Sequence, residues 1–590
     1  MSDGGSSDGS GSIGDGRRLL GAEILWEALA AEGVEVVFGY PGGAIMPAYD
    51  AMLKYADRIR HVLVRHEQGA AHMADGYARA SGKVGVALAT SGPGATNLVT
   101  GIATAMMDSV PVVFITGQVP STALGTDAFQ ETDMTGVTLP ITKHNYLVTS
   151  VDEIAPTIRE AFFLARSGRP GPVLVDICKD AQQATGTWRT PSGQPRLPGY
   201  RPSPHAPDEL LDEAAYLIDH AERPLVLAGY GIIKAGAGDL LRAFVEKAHV
   251  PVASTLLGLG GFPASHPLAL GMMGMHGESW VNHAIQEADL LIALGMRFDD
   301  RVTGRLATYA PRARKIHVEI DRSEVNKNVK VDVALLDDVG RVLGALTPRV
   351  AARRRDPWIA RIASLTGDSA VRDIQGLPDE GRLYAAHVIH DLWRLTGGKA
   401  LVVTDVGQHQ MWEAQYYKHD YARKLLTSGG LGTMGFALPA AIGARFACPD
   451  DEIWVIAGDG GFQMTACELS TAAQENAKVN IAIINNGYLG MVRQWQQFFY
   501  GGRYAATPMR SPDFVKLAEA HGLTGMRVTK RDEVETTVRA AQATPGTVVI
   551  DFRVEQEDSV YPMVPTGADL AEMIRRPPPP SPLVETAEDP

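Results

Sequence analysis

Gly458-Asp459-Gly460 and Asn485-Asn486 are the residues whose types and spacing point most directly to chemistry. Each group ends an apolar run that reads as a buried strand, DEIWVIAGDG (451–460) and VNIAIINN (479–486). Asp459 and Asn486 lie 27 positions apart, the length of one strand–helix–strand excursion. Such an excursion returns both side chains to the carboxyl edge of a parallel sheet, where open α/β sheets bind ligands. A hard cation such as Mg2+ takes oxygen donors, usually a carboxylate together with substrate phosphate oxygens. Asp459 offers the carboxylate and Asn486 a neutral carbonyl. Gly458 and Gly460 permit tight turns and a close approach of backbone to a diphosphate. GDG and NN are common separately, and two unrelated turns would also contain them. The strand context and spacing favour a metal–diphosphate site.

A second candidate is Glu67, in RHEQGAAHMADGYARASG (65–82). It follows the strand-like HVLVR and opens an Ala-rich helix, whose N-terminus favours a carboxylate. An isolated glutamate at that place is an ordinary cap. Its surroundings, YPGGA (40–44) and TSGPGATN (90–97), are two glycine-rich turns that follow apolar runs.

These residues must be held by sheets. Short apolar runs alternate with helical stretches in three successive units, the pattern of doubly wound parallel sheets. The expected fold is α/β with three such domains in series: 18–186, 210–350 and 379–574. A Pro-rich linker (187–209) and a weakly patterned linker (351–378) separate them. Tails at 1–17 and 575–590 are expected to be disordered. The net charge of −13 makes the chain a poor general binder of nucleic acid or anionic membrane. No run of 18 uninterrupted apolar residues marks a membrane span. The tail MSDGGSSDGSGSIGDGR has neither the apolar core of a secretory signal nor the acid-poor character of a transit peptide. Three scattered cysteines, Cys178, Cys448 and Cys467, cannot build a disulfide framework, so a reducing cytoplasm is expected.

The GDG and NN pair resembles the thiamine diphosphate (ThDP) motif. That resemblance implies Asp459 and Asn486 as Mg2+ ligands, with the carbonyl of Tyr488 as a third. The words around Glu67 resemble the pyrimidine-binding domain of ThDP enzymes acting on 2-keto acids, which implies Glu67 as the residue that activates the cofactor through its aminopyrimidine. GTDAFQE (125–131), ITKHNYLV (141–148), GRPGPVLVD (168–176), RFDDRVTG (297–304), GLGTMGFALPAAIGA (430–444) and LGMVRQW (489–495) complete a resemblance to the acetohydroxyacid synthase (acetolactate synthase) catalytic-subunit family. It runs from about residue 20 to about 570.

The resemblance implies decarboxylation of pyruvate. The hydroxyethyl group passes to a second pyruvate, giving 2-acetolactate, or to 2-ketobutyrate, giving 2-aceto-2-hydroxybutyrate. This is the first common step of valine, leucine and isoleucine biosynthesis. It implies Met434 as a prop beneath the cofactor, Gly432 as a carbonyl facing the aminopyrimidine, and Gln408 and His409 at the diphosphate. Gly42 and Gly43 would line the reacting centre, and Gln130, beside Phe129, would contact intermediates. Arg301 and Trp495 would treat the second substrate. A guanidinium suits a carboxylate, and an indole face can pack against one additional methyl. Alone, Arg301 reads as a surface charge and Trp495 as a core anchor. Asp300, Arg301, Met491, Val492 and Trp495 are implied inhibitor contacts.

GMMGMHG (271–277), LGMRFDDR (294–301) and HVEID (317–321) resemble the family's FAD-binding domain, which implies Gly274, His276, Arg297 and Asp321 as flavin contacts. The reaction has no net redox step, so FAD would be structural. The family further implies ThDP held between subunits of a homodimer or homotetramer, and a separate regulatory subunit. Among other ThDP enzymes, glyoxylate carboligase lacks the activating glutamate, whereas FAD-free catabolic acetolactate synthases lack the RFDDR and LGMVRQW words and pyruvate oxidase differs in the same places. A non-catalytic paralogue fits less well, because each chemical position is filled by the expected residue type. A nicotinamide dehydrogenase leaves the GDG–NN pair unexplained.

Overall fold

Runs such as Gly85–Ala89, Leu290–Leu294 and Asn480–Asn485 are buried along their whole length. Apolar on both faces, they can only be central strands covered by helices on each side. The computed structural model describes residues 16–366 and 381–577. Among these residues the strands form three six-stranded parallel sheets and one two-stranded antiparallel pair, Arg18–Leu20 with Thr185–Thr187. No helix among them is long and apolar enough to cross a membrane.

The chain groups into two compact units. One takes the chain up to Pro204, then Gly381–Gln410 and Arg423–Gln556. It carries two sheets. The first runs Arg60–Leu63, Val36–Gly39, Gly85–Ala89, Val112–Gln118, Val173–Cys178, His144–Val148 across its width. The second runs Leu425–Leu426, Leu401–Thr404, Ile453–Gly458, Asn480–Asn485, Val548–Arg553, Thr524–Val528. Numbered by appearance, both have the order 2-1-3-4-6-5. The order reverses between strands 1 and 3, so each sheet has its ligand crevice beyond those two carboxyl ends.

The helices that follow strand 2 in the two sheets, Glu67–Ser81 and Ala437–Ala447, pack on one another. Glycine makes the approach possible. A Cβ on Gly443 would stand 1.9 Å from the Met73 carbonyl oxygen, and one on Gly76 2.1 Å from that of Ala440. Glu468 accepts from the backbone N–H groups of Arg65 (3.1 Å) and His66 (3.0 Å), capping the start of the first helix.

The other unit takes the chain from His205, with Met411–Ala422 and the stretch from Glu557. Its sheet runs Ala269–Met272, Val252–Ser254, Pro224–Ala228, Leu290–Leu294, Arg314–Glu319, Val333–Leu336. This is the 3-2-1-4-5-6 order of a dinucleotide-binding fold. Two segments sit differently from expectation. The expected linker 351–378 contains the helix Asp356–Leu365, whose Trp358 and Ile362 are buried and whose Trp358 indole donates to the Pro224 carbonyl (3.0 Å). The stretch 557–574, expected with the third domain, groups with the unit of the central sheet, and the Val564 N–H donates to the Met275 carbonyl (2.8 Å). The segment 187–209 carries no helix or strand between Thr187 and Asp208. Of the expected tails, residues 1–15 and 578–590 lie outside the described residues, as do 367–378 of the expected linker and 379–380 at the start of the expected third domain.

Candidate cofactor and active site

In the second sheet of the first unit, strands Leu401–Thr404 and Ile453–Gly458 flank the crevice. The first hands the chain to Asp405–His409, the second to Asp459 and Gly460. The neighbouring strand Asn480–Asn485, in register with Gly458 opposite Ile484, delivers Asn486 and Tyr488. Asp459 is 1% exposed, and its Oδ2 accepts from the Ser511 hydroxyl (2.8 Å). Burial holds its carboxyl above the usual carboxylate range, despite the Ser511 bond. Asn486 Oδ1 accepts from the Tyr488 N–H (3.1 Å), and its Nδ2 donates to Gln408 Oε1 (3.2 Å). Gln408 Nε2 in turn donates to Gln494 (2.9 Å). His409 Nε2 accepts from the Gly458 N–H (3.2 Å), and burial pushes its imidazole down to about 3, leaving it neutral. Tyr488 bridges Pro508, and the Arg493 guanidinium lies 5.1 Å from its ring.

The donor set fits Mg2+. Among the described residues no group of three or more His, Cys, Asp or Glu could hold a metal. One buried carboxylate, one amide and backbone carbonyls are what an ion completed by phosphate oxygens takes. A cation beside Asp459 would also relieve the burial that raises its carboxyl.

The loop carrying Gly432 and Met434 is tied to the same crevice. Asp405 accepts from the Gly435 N–H (2.8 Å), and burial pushes its carboxyl up to about 7. Met434 Cε lies 3.6 Å from where a Cβ on Gly460 would stand, so it overhangs the GDG turn. Gly432 is exposed, at φ +71°.

In the first sheet, Glu67 opens its helix and is 9% exposed. Its Oε2 accepts from the Asn97 side chain (2.9 Å), while Oε1 faces Gly94. Gly42 packs on Thr90, whose hydroxyl accepts from the Ala44 N–H (3.2 Å), whereas Gly43 faces open space. Gln130, at φ +60°, packs on Gly92, and Phe129 is 89% exposed. The turns 40–44, 90–97 and 129–130 thus meet beyond the carboxyl ends of Val36–Gly39 and Gly85–Ala89. On the helix Gly490–Phe499, Val492 is exposed, Met491 half-buried, and the Trp495 ring lies 5.1 Å from that of Phe499, tilted by 54°.

In the other unit all four flavin candidates follow carboxyl ends of strands. Gly274, at φ +97°, exchanges two 2.9 Å hydrogen bonds with the Asn282 amide, and a Cβ there would meet the Arg301 carbonyl oxygen at 2.3 Å. His276 is buried and donates from Nδ1 to the Pro562 carbonyl (3.4 Å), and burial holds its imidazole down at about 4. Arg297 lies 3.7 Å from Asp299. Asp321 caps a short 3-10 turn, accepting from the Ser323 N–H (2.9 Å). The Arg301 side chain is exposed, 3.6 Å from Asp300 and from the Met275 sulfur.

Sequence reasoning did not single out Asn97, Thr90, Gln494 or Ser511. Asn97 and Thr90 stand inside TSGPGATN, which was a usable signal. Ser511 reaches Asp459 from 52 residues away and offered none.

Three family models match the chain in order. Those described as "Thiamine pyrophosphate enzyme, N-terminal TPP binding domain", "central domain" and "C-terminal TPP binding domain" cover residues 20–137, 211–346 and 405–552. Fold and site together define a thiamine-diphosphate-dependent enzyme. The acetolactate synthase of Mycobacterium bovis is 48% identical over 94% of this chain and 91% of its own length. The acetolactate synthase large subunit of Corynebacterium glutamicum is 48% identical over 94% and 90%, and the probable large subunit of Methanocaldococcus jannaschii 44% over 94% and 95%. This chain belongs to the acetolactate synthase large-subunit family.

Proposed function

We propose that the chain is the catalytic subunit of a cytoplasmic acetohydroxyacid synthase in branched-chain amino acid synthesis, acting on pyruvate and 2-ketobutyrate, with Mg2+ and FAD beside ThDP. The observation that carries this reading is near-complete alignment to enzymes named acetolactate synthase, with Glu67 and Asp459 each beside the crevice of its own sheet. ThDP, when bound, supplies the nucleophilic carbon and electron sink for decarboxylation. Asp459, Asn486 and the Tyr488 carbonyl hold the cation, and Gln408 and His409 face the diphosphate. Gly432 and Met434 support the ring end. Glu67, with Oε2 committed to Asn97, moves its proton at Oε1. Gln130, beside Phe129, and Gly43 border the reacting centre.

Arg301 binds the carboxylate of the second 2-keto acid, and Trp495 with Met491 and Val492 selects its alkyl group. One methylene in such a pocket is worth about 10–200-fold. Gly274, His276, Arg297 and Asp321 contact FAD at the carboxyl edge of a sheet whose strand order suits a dinucleotide. A homodimer or homotetramer, and a separate regulatory subunit, complete the proposal.

The test is to supply the purified chain with Mg2+, ThDP, FAD, pyruvate and 2-ketobutyrate together and quantify both acetohydroxy acids. Both products, with 2-aceto-2-hydroxybutyrate favoured, are expected. Acetolactate alone removes the 2-ketobutyrate preference from the proposal. Neither product, even with a regulatory subunit supplied, overturns the catalytic reading. Trp495→Leu is expected to keep acetolactate synthesis and lose the preference, and an unchanged product ratio removes Trp495 from that role.

A further inference from the structure

Arg79 lies in the last turn of the helix that begins at Glu67 and is 3% exposed. Its Nε donates to Asp75 (2.5 Å), its Nη2 to Asp108 (2.8 Å) and its Nη1 to the Thr427 carbonyl (2.8 Å). Its guanidinium lies 5.2 Å from the Phe436 ring. Asp108, 2% exposed, then accepts from two backbone N–H groups of the glycine loop: Gly430 to Oδ1 (2.7 Å) and Gly429 to Oδ2 (3.1 Å). A Cβ on Gly430 would stand 2.8 Å from Oδ1, so glycine lets the carboxylate lie flat against this backbone. Thr104 donates to the Thr100 carbonyl (2.8 Å), which leaves its oxygen to accept from the Thr433 hydroxyl (2.7 Å).

We propose that Asp108, held by Arg79, is a positioning residue that sets the loop from Thr427 to Met434 for the aminopyrimidine end of ThDP. The inference rests on the cofactor reading above. A buried ion pair is weak support for stability, since apolar residues of similar volume serve as well. What the charge adds is direction. A carboxylate gripping the Gly429 and Gly430 N–H groups fixes the chain just before Gly432, which is exposed at φ +71°. Among the described residues, Asp108 is the side chain that accepts from both glycine amides.

The test uses the full chain with Mg2+. ThDP affinity is measured by titration calorimetry, and the environment of the bound aminopyrimidine by near-ultraviolet circular dichroism. Asp108→Asn is expected to weaken ThDP binding about tenfold or more, the scale of losing a supporting partner. It is also expected to alter the dichroic band and to lower kcat at saturating ThDP, with far-ultraviolet dichroism and FAD content unchanged. Thr104→Val, which keeps shape and loses one anchor, is expected to do the same more weakly. If Asp108→Asn does not fold, Thr104→Val carries the test. Wild-type affinity and an unchanged band in the folded variant overturn the proposal. Wild-type protein that binds no ThDP overturns the cofactor reading itself.

Discussion

The Asn97 amide reaches from the turn after one strand to the helix after another and donates to Glu67 Oε2 at 2.9 Å. On the proposed reading of Glu67 as the proton-transfer group, this bond leaves Oε1 as the oxygen that exchanges the proton, because Oε2 already accepts from Asn97. Glu67→Gln is expected to keep the fold and ThDP binding but to lose about 10²–10⁴-fold in kcat, the range for a positioned proton-transfer group. Asn97→Ala is expected to lose less, since Glu67 remains ionisable but is no longer oriented. Steady-state acetolactate formation checks both. Near-wild-type turnover in Glu67→Gln removes the glutamate from the chemistry.

Asp459 and Ser511 form a comparable pair at the proposed metal site. The serine donates to Oδ2 (2.8 Å), so on that reading the other oxygen serves the cation. Removing divalent metal with EDTA is expected to abolish activity, with recovery on adding Mg2+. Asp459→Ala is expected not to recover. Ser511→Ala is expected to weaken metal affinity about 10–100-fold, as losing the partner of a ligand does. Titration of Mn2+ by electron paramagnetic resonance in the presence of ThDP reads this directly. Unchanged affinity in Ser511→Ala shows that its bond to Asp459 does not tune the site.

What could be read from the chain follows from locality. Ile453–Gly458 and Asn480–Asn485 are central strands, apolar on both faces, so they stand out as runs, and their terminal Asp459 and Asn486 stand out with them. Thr524–Val528 and His144–Val148 lie at sheet edges with mixed exposure and show no such run. The common 2-1-3-4-6-5 order of two sheets was invisible, because strand order depends on which faces meet and the apolar residues that decide this are interchangeable. The helix Asp356–Leu365 was masked by the preceding basic run. Arg355 looks like surface charge in sequence, yet it is 3% exposed and donates to the carbonyls of Ile218, Ala221 and Ala248 at the ends of two helices. Asn97 and Ser511 act across gaps of 30 and 52 residues, which no spacing rule encodes.

The helix crossing through Gly76 and Gly443 gives a steric prediction. At Gly443 a Cβ would stand 1.9 Å from a backbone oxygen, and backbone cannot swing aside as a side chain can. Gly443→Val is therefore expected to separate the two helices and destabilise the first unit by about 1–3 kcal/mol or more. Thermal unfolding checks this against Gly344→Ala, a glycine with nothing within 4 Å of its would-be Cβ. Equal midpoints for the two variants would show that the crossing tolerates bulk.

Asp405 gives a prediction in pH. Buried between the Gly435 N–H and Gly461, its carboxyl is pushed up from 3.8 to about 7. A group raised on folding contributes stability that is full below its unfolded value and is lost as pH rises through its folded value. Between about pH 4 and 7 the cofactor-free protein therefore loses stability from this group, at up to about 1.4 kcal/mol per pH unit. Asp405→Asn, neutral throughout, is expected to remove that component, so the difference in unfolding midpoint between wild type and variant should shift in favour of the variant from pH 5 to pH 8. A difference that stays constant across that range would mean that Asp405 is already ionised in the folded chain and that its bonds to the loop outweigh its burial.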